Sequence, residues 1–477
     1  MLFASPLFLF LFLPLTLTLY VLAPKWAKNG VLLLASVLFY SWGEGLYAVL
    51  VVVSVLVNWV FGIAIGRSEE MIHRRRWLVW AIVVNIGTLA VFKYANFVVE
   101  NLNGVLAALA LAPITMAAIP LPLGISFFTF HAISYVVDVY KRNAHAERRL
   151  SDFALYILLF PQLIAGPIIR WRDIASQLTQ RDQRLADVAY GARRFLLGLA
   201  KKVLIANTLG AAADRIFALP GSELTAPVAW LGLICYTLQI YFDFSGYSDM
   251  ALGLMRMFGF RILENFNYPY VAQSVREFWR RWHISLSNWF RDYLYIPLGG
   301  NRKGPGRAYF NLALVFLLCG LWHGASWPFV IWGAWHGLFL VAERAGLDRV
   351  LQRIGPLRHG YALLAVMGGW VLFRSETLPQ ALGYYAALLG GGTGDAARQP
   401  LLLYLDPLLA TTLAVAAVGA TPFAKVLGDW CGRAVAGHAL RGRIVLTADV
   451  AWMLACLWAA SASLAAGTYN PFIYFRF

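Results

Sequence analysis

The sequence predicts an all-α, polytopic membrane protein, and three observations carry that prediction. Hydrophobic residues make up 60% of the 477-residue chain and charged residues 13%, about half the roughly 25% typical of a soluble domain. Mean hydropathy is +0.63. The charges fall in short basic clusters between apolar runs, the pattern left when Lys and Arg stay on the cytoplasmic side of a bilayer. A soluble reading would need two or three domains, because single cores stop growing at about 250–300 residues, and no polar linker divides the chain. Residues 1–477 therefore read as one membrane-embedded domain.

The balance of 40 Lys and Arg against 24 Asp and Glu, net +16, does not argue for nucleic acid. There the basic groups would form stripes on a polar domain. Here orientation in the membrane and attraction to anionic lipid head groups account for them. Cys235, Cys319, Cys431 and Cys456 form no CxxC pair, so neither a disulfide framework nor a structural zinc site is expected.

The elements follow in chain order. Residues 1–23 lack a basic n-region and are too long for the apolar core of a cleavable signal. The first positive charges, Lys25 and Lys28, come after them, which predicts an uncleaved first helix with its N-terminus outside. Residues 30–66 break at Trp42-Gly43-Glu44-Gly45 into two helices, followed by Arg67, Arg74, Arg75 and Arg76. Residues 77–92 cross next. Pro113, Pro120 and Pro122 interrupt 104–140, and Lys141, Arg142, Arg148 and Arg149 follow. Residues 153–169, broken by Pro161, Gly166 and Pro167, fall short of the ~20 needed to span. They read as a re-entrant segment whose backbone must be buried by protein. Apolar runs at 227–244, 308–342, 360–373, 380–390, 400–420 and 444–467 bring the expectation to about eleven spans.

Two stretches carry chemistry. Residues 276–307 read REFWRRWHISLSNWFRDYLYIPLGGNRKGPGR. At ~100° per residue, Phe278, Trp282, Leu286, Trp289, Tyr293 and Ile296 share one face. This predicts one amphipathic helix at the membrane interface, basic side to the cytoplasm, with His283 on the edge of its apolar arc. From Ala308 to Ala342 there is no Asp, Glu, Lys or Arg. A helix of that length would be ~52 Å long against a ~30 Å hydrocarbon core. The run must break, and Trp322-His323-Gly324-Ala325-Ser326-Trp327-Pro328 is the place. His323 is thereby set at membrane depth, where an ionisable group is a functional candidate. His336, one helix further, fits a hydrogen bond between helices. The GxSxG, HExxH and P-loop patterns are absent, and carboxylates near His323 are scarce, which argues against zinc. A histidine without an obvious Ser or Cys partner suggests a general base acting on a bound hydroxyl.

Six runs then resemble one family, in order: PLGISFFTFHAISYVVDVYKR (122–142), FPQLIAGPIIR (160–170), YFDFSGYSDMALGLMRMFGF (241–260), ENFNYPY (264–270), EFWRRWHISLSNWFRDYLYIPLGGNR (277–302) and GLWHGASWPFVIWGAWHG (320–337). They are similar to the membrane-bound O-acyltransferases, most of all the bacterial branch that contains the alginate O-acetyltransferase membrane subunits. The likeness covers roughly residues 120–345, with only hydropathy in common outside it. It implies a ring of tilted helices, with re-entrant and interfacial helices, around a tunnel. The family's near-invariant histidine after a Leu-Trp pair corresponds to His323. Its second polar position, Asn or Asp in many eukaryotic relatives, corresponds to His283. Both are the catalytic candidates, and no metal is expected.

The resemblance further implies transfer of an acetyl group from a cytoplasmic thioester for O-acetylation of an exopolysaccharide such as alginate or cellulose. No bound cofactor is expected. Acetyl-CoA is the expected donor substrate, with a carrier-protein thioester as alternative. A periplasmic SGNH-type acetyltransferase and other exopolysaccharide-modification proteins are the implied partners, and the bacterial inner membrane the location. In this scheme neutral His323 takes the hydroxyl proton, and His283 polarises the thioester carbonyl or positions the donor. Arg276, Arg280, Arg281, Arg291, Arg302, Lys303 and Arg307 attract the donor's phosphates, unless the cluster reflects topology alone. Asp243, Ser245, Tyr247 and Asp249 form a polar patch that lines the tunnel, with Trp322, or merely caps a helix. Tyr474, in the aromatic terminus Tyr-Asn-Pro-Phe-Ile-Tyr-Phe-Arg-Phe, is either a membrane anchor or a hydroxyl that relays the acyl group outward. The rival from another class is a transporter or flippase of an acyl carrier or glycan, which broken helices and a buried histidine would also suit.

Overall fold

The structure is a computed structural model that describes residues 1–392, 394–395, 397–435, 439–467 and 469–471. The apolar runs become helices α1 (Leu13–Leu22), α2 (Lys28–Glu44), α3 (Ala48–Arg67), α4 (Met71–Ala108), α5 (Ile125–Tyr140), α6 (Leu150–Leu158), α7 (Phe160–Leu163), α8 (Trp171–Thr179), α9 (Leu185–Ala200), α10 (Asn207–Phe217) and α11 (Ala226–Met257). The second half adds α12 (Val275–Arg281), α13 (Ile284–Phe290), α14 (Gly304–His323), α15 (Trp327–Ala342), α16 (Asp348–Arg353), α17 (Leu357–Arg374), α18 (Leu378–Leu388), α19 (Pro407–Gly419), α20 (Phe423–Val435) and α21 (Ala439–Ala465). Among the described residues there is no strand.

Helix α11 is buried along nearly its whole length and forms the axis. It packs on α9 where glycines remove the side chains. A Cβ on Gly191 or Gly198 would strike the backbone at Gly253 or Gly246, and the reverse also holds. These pairs are seven residues apart on each helix, two turns, so both contacts fall on one face. By contrast, α4 is turned mostly outward. Its buried residues are Arg74, Ala81, Asn85, Leu89 and Lys93, a single inward stripe, with apolar residues such as Trp80, Val83 and Val91 exposed on the other side as lipid contact demands. One apolar core runs through the chain from Phe3 to Ala460.

The molecule has two chemically distinct faces. At one, Lys28 meets Gln183 (2.9 Å), Arg74 meets the Tyr140 carbonyl (2.7 Å), and Lys141 reaches the Asp292 carbonyl (3.3 Å). We call this the basic face. At the far face the turn after α2 meets the loop before α5: Glu44 accepts the Leu123 N–H (2.9 Å), and Tyr40 donates to the Leu123 carbonyl (2.9 Å). Met1 lies there too, its amine 3.2 Å from where a Cβ on Gly43 would stand.

One expectation is not reached and another is corrected. Among the described residues six helices are long and apolar enough to cross a membrane, or seven if the bent pair Pro407–Gly419 and Phe423–Cys431 counts as one crossing. That is short of eleven. Some runs counted as crossings from hydropathy form only short helices; α18, at 11 residues, is ~16 Å long. Residues 276–296 are also not one interfacial helix. The stretch breaks at Trp282-His283 into α12 and α13, and Phe278, Trp279, Trp282, Leu286 and Trp289 are all buried. Aromatic periodicity marks burial equally well against lipid or protein; here it is protein. The segment 153–169 behaves as expected: it is short, kinked after Leu158, and buried nearly throughout.

Candidate active site

The charge-free run breaks where the sequence placed the break. Helix α14 ends at His323, Gly324 turns extended, and α15 restarts at Trp327 with Pro328 in its first turn, where the missing N–H is no loss. The two helices then fold against each other through Gly320 and Gly333, each of which has no room for a Cβ. A helix end leaves its last carbonyls without intrahelical partners. Here α4 supplies them. Tyr94 donates to the Leu321 carbonyl at 2.6 Å, and Lys93 Nζ donates to the Trp322 carbonyl and, at 3.2 Å, to that of His323. The His323 ring is held edge-on among Trp322, Trp332 and Phe373, at centroid distances of 4.8, 5.0 and 5.2 Å.

His283 owes its place to backbone strain. It is fully buried and sits in the left-handed region, φ 44° and ψ 54°, a conformation costing roughly 1–2 kcal/mol for a residue with a Cβ. Asn265 holds it there. The Asn265 carbonyl accepts the Ile284 N–H (3.0 Å), and its Oδ1 accepts both the N–H (3.1 Å) and the hydroxyl (2.9 Å) of Ser285. The Asn265 side-chain NH2 reaches Ser248 at 3.0 Å. His283 Nδ1 lies 3.2 Å from the same Oδ1. That oxygen only accepts, so the ring proton belongs on Nδ1 and Nε2 carries a lone pair. Nε2 has no hydrogen-bond partner among the described residues. Burial pushes the imidazole down to about 3, so it is neutral at pH 7. In this tautomer His283 accepts a hydrogen bond and cannot polarise a carbonyl by donating one. Trp322 stands beside both histidines, its ring 6.3 Å from that of His283.

Two chambers approach this centre. A basic-face pocket of about 460 Å3 is lined by Arg276, Arg280, Arg291 and Arg344 at its polar side and by Leu286, Phe290, Val315, Phe316 and Cys319 within. Cys319 is one turn, ~6 Å, before His323 on α14. A far-face cavity of about 420 Å3 is lined by Met1, Glu44, Lys93, Ser126, Trp322 and His323, with the turn at 121–125. Among the described residues no three His, Cys, Asp or Glu side chains converge as a metal-binding set.

The other predicted residues separate. Arg280 and Arg291 line the basic-face pocket. Arg281 pairs with Glu277 (2.8 Å), while Arg302 and Lys303 lie exposed in the loop before α14. Asp292, buried, gathers Arg170, Arg172 and Arg291. Burial alone would raise its carboxyl, but the three guanidiniums hold it below the usual carboxylate range. Asp243 is ion-paired with Lys202 (2.8 Å) and Asp249 with Arg194 and Lys201, so this patch ties α9 and the turn that follows it to α11. Ser245 is buried, and Tyr247 stacks on Phe3 at 4.6 Å. His336 accepts from Trp279 Nε1 at 3.3 Å, the interhelical bond expected of it. Tyr474 lies outside the described residues. Sequence reasoning missed Lys93, Asn265 and Arg344. Lys93 was legible: it continues the Ala81, Asn85, Leu89 stripe at four-residue steps, but a charge had been taken as the end of a span.

Comparison with known proteins agrees with this architecture. The model of MBOAT, the membrane-bound O-acyltransferase family, matches residues 76–359. The chain is 45% identical to a probable alginate O-acetylase of Azotobacter vinelandii and 43% identical to one of Pseudomonas putida, each over the full length of both proteins. It is 35% identical to a peptidoglycan O-acetyltransferase of Helicobacter pylori over 82% of this chain and 80% of that one. The multi-pass helical chain built around His323 thus belongs to the membrane-bound O-acyltransferase family, in its alginate O-acetylase branch, and is a membrane-bound O-acyltransferase.

Proposed function

We propose that the protein moves an acetyl group from a thioester donor at the basic face, taken as cytoplasmic, to a hydroxyl acceptor at the far face, for O-acetylation of an extracellular polysaccharide. The observation that carries this reading is the position of His323, at a cut helix end that lines the far-face cavity while its own helix, one turn back, lines the basic-face pocket. The donor is acetyl-CoA. Arg280 and Arg291 attract its phosphates, and the apolar walls of the basic-face pocket suit the thioester arm. His283 accepts a hydrogen bond from the arm and fixes its approach. His323 takes the proton of the acceptor hydroxyl as the oxygen attacks the thioester carbon. The tetrahedral intermediate then expels the thiolate, which recovers that proton, leaving an ester and free CoA.

The names of the relatives, alginate and peptidoglycan O-acetylating proteins, support a carbohydrate polymer as the final acceptor, and we take an exopolysaccharide such as alginate or cellulose as that polymer. We further propose a periplasmic SGNH-type transferase as the partner that completes the transfer, and the inner membrane as the location. Tyr474 is our candidate for the relaying hydroxyl. Support comes from the tail that leads to it: Asn470 bonds the buried Ala4 carbonyl (3.1 Å) and Asn207 (3.1 Å), and Lys202 donates to the Pro471 carbonyl. These bonds tie the chain to the protein as far as Pro471.

The decisive experiment is cleavage of acetyl-CoA by purified protein, coupled to polymer acetylation in cells. Thioester cleavage that persists in His323→Ala would end this reading. Tyr474→Phe should block polymer acetylation while acetyl-CoA still binds; full acetylation by that variant would leave Tyr474 an anchor. Lys303→Cys, in a background lacking native cysteines, should resist an impermeant thiol reagent added outside intact cells; labelling from outside would invert the orientation.

A further inference from the structure

We propose that Lys93 is the positioning residue for His323: its ammonium holds the cut end of α14 so that the imidazole is presented to the far-face cavity. The proposal rests on His323 being the base of the reaction. Lys93 is 8% exposed and lines the same cavity as His323. An ammonium has three protons to donate, and three acceptors surround it: the Trp322 carbonyl, the His323 carbonyl at 3.2 Å and Ser126 Oγ at 3.5 Å. Among the described residues no Asp or Glu pairs with it.

Two features set this apart from routine capping. Burying a cation without a counter-ion is unfavourable, and a neutral amide would satisfy a stray carbonyl with less desolvation. The cation gains because it meets the negative end of the α14 dipole and lies 5.9 Å from the Trp322 ring centroid, the residue that stands beside both histidines. The second feature is a control built into the same helix. Arg74, on the same buried stripe of α4, is 4% exposed and donates to the Val139 carbonyl at 3.1 Å and the Tyr140 carbonyl at 2.7 Å, the last of α5. One helix therefore clamps two helix ends, ~28 Å apart by its rise per residue. The α14 end bears the reacting histidine; the α5 end bears Tyr140 at the basic face. If Lys93 only stabilised the fold, the two cations would be equivalent.

The test uses full-length purified protein with acetyl-CoA as probe. Lys93→Met should lower kcat for thioester cleavage by about ten- to a hundredfold with the acetyl-CoA KM within twofold, and Lys93→Arg should restore most of it. Arg74→Met should lower Tm comparably and leave kcat within twofold. Equal kcat losses in Lys93→Met and Arg74→Met at matched Tm, or a Lys93→Met kcat within twofold of the parent, would overturn the proposal. Should Lys93→Met not accumulate, Lys93→Gln carries the same readouts, because the amide still donates to one carbonyl but lacks the charge. A dead His323→Ala beside a fully active Lys93 variant sinks this proposal alone. An active His323→Ala sinks the reading beneath it.

Discussion

The two chambers that approach His323 are built on opposite plans. In the basic-face pocket the charge is at the rim: four arginines stand at its polar side, and the interior walls are Leu, Phe, Val and Cys. In the far-face cavity polar groups reach the interior: Lys93 and His323 are buried, with Glu44, Ser126 and turn backbone also in the lining. A rim of guanidiniums over an apolar throat suits a ligand with an anionic head and a long uncharged arm, since the phosphates stay near water while the arm is desolvated. A cavity with its polar groups at depth suits a short hydroxyl-bearing group that has to reach them. Under the proposed reaction the contrast fits a donor entering from one face and an acceptor from the other, with α14 lining both chambers.

That contrast can be broken or sharpened by substitution. The largest effect is expected at the wall. His323→Ala should lower acetyl transfer by ~10²–10⁴-fold with Tm and membrane insertion preserved, measured by acetyl-CoA cleavage and by polymer O-acetyl content. Next comes His283. His283→Leu removes the lone pair on Nε2 and should reduce kcat/KM by about tenfold or more, the scale of one lost buried hydrogen bond. His283→Asn, which keeps an acceptor, should retain a measurable part. Equal activity of Leu and Asn variants would reduce His283 to packing. At the rim, Arg280→Gln with Arg291→Gln should raise the acetyl-CoA KM a few-fold, in keeping with exposed charge pairs of about 0.2–1 kcal/mol each, with kcat unchanged. The effect should shrink in high salt; a fall in kcat instead would mean that these arginines do more than gather the donor. The smallest effect on rate belongs to His336→Leu. It strands the Trp279 N–H and should lower Tm by a few degrees while kcat stays within twofold.

Much of this was legible along the chain, and particular residues explain where it stopped. The break at His323 follows from arithmetic: a charge-free run too long for the bilayer, with a Gly and a Pro to cut it. The break at His283 had no such signal. Its left-handed turn depends on Asn265, eighteen residues earlier, whose side chain and backbone hold Ile284 and Ser285. Local periodicity therefore favoured a helix that tertiary hydrogen bonds interrupt. Lys93 escaped for the reverse reason. One charge was read as the end of a span, although its stripe of buried neighbours continues and α4 runs on to Ala108.

The sequence by itself determined the solvent in which this protein lives, the face that carries its basic clusters, the broken helix that ends at His323 and, through its ordered motifs, the family. These are properties of runs: hydropathy, charge and length act over neighbouring residues and leave their mark in one dimension. Only the tertiary structure decided which carbonyls Lys93 satisfies, which oxygen orients His283, and that the predicted interfacial helix is buried in protein. Those outcomes join residues up to 230 positions apart. They turn on a few hydrogen bonds whose partners become defined only once α4, α11 and α14 have packed together.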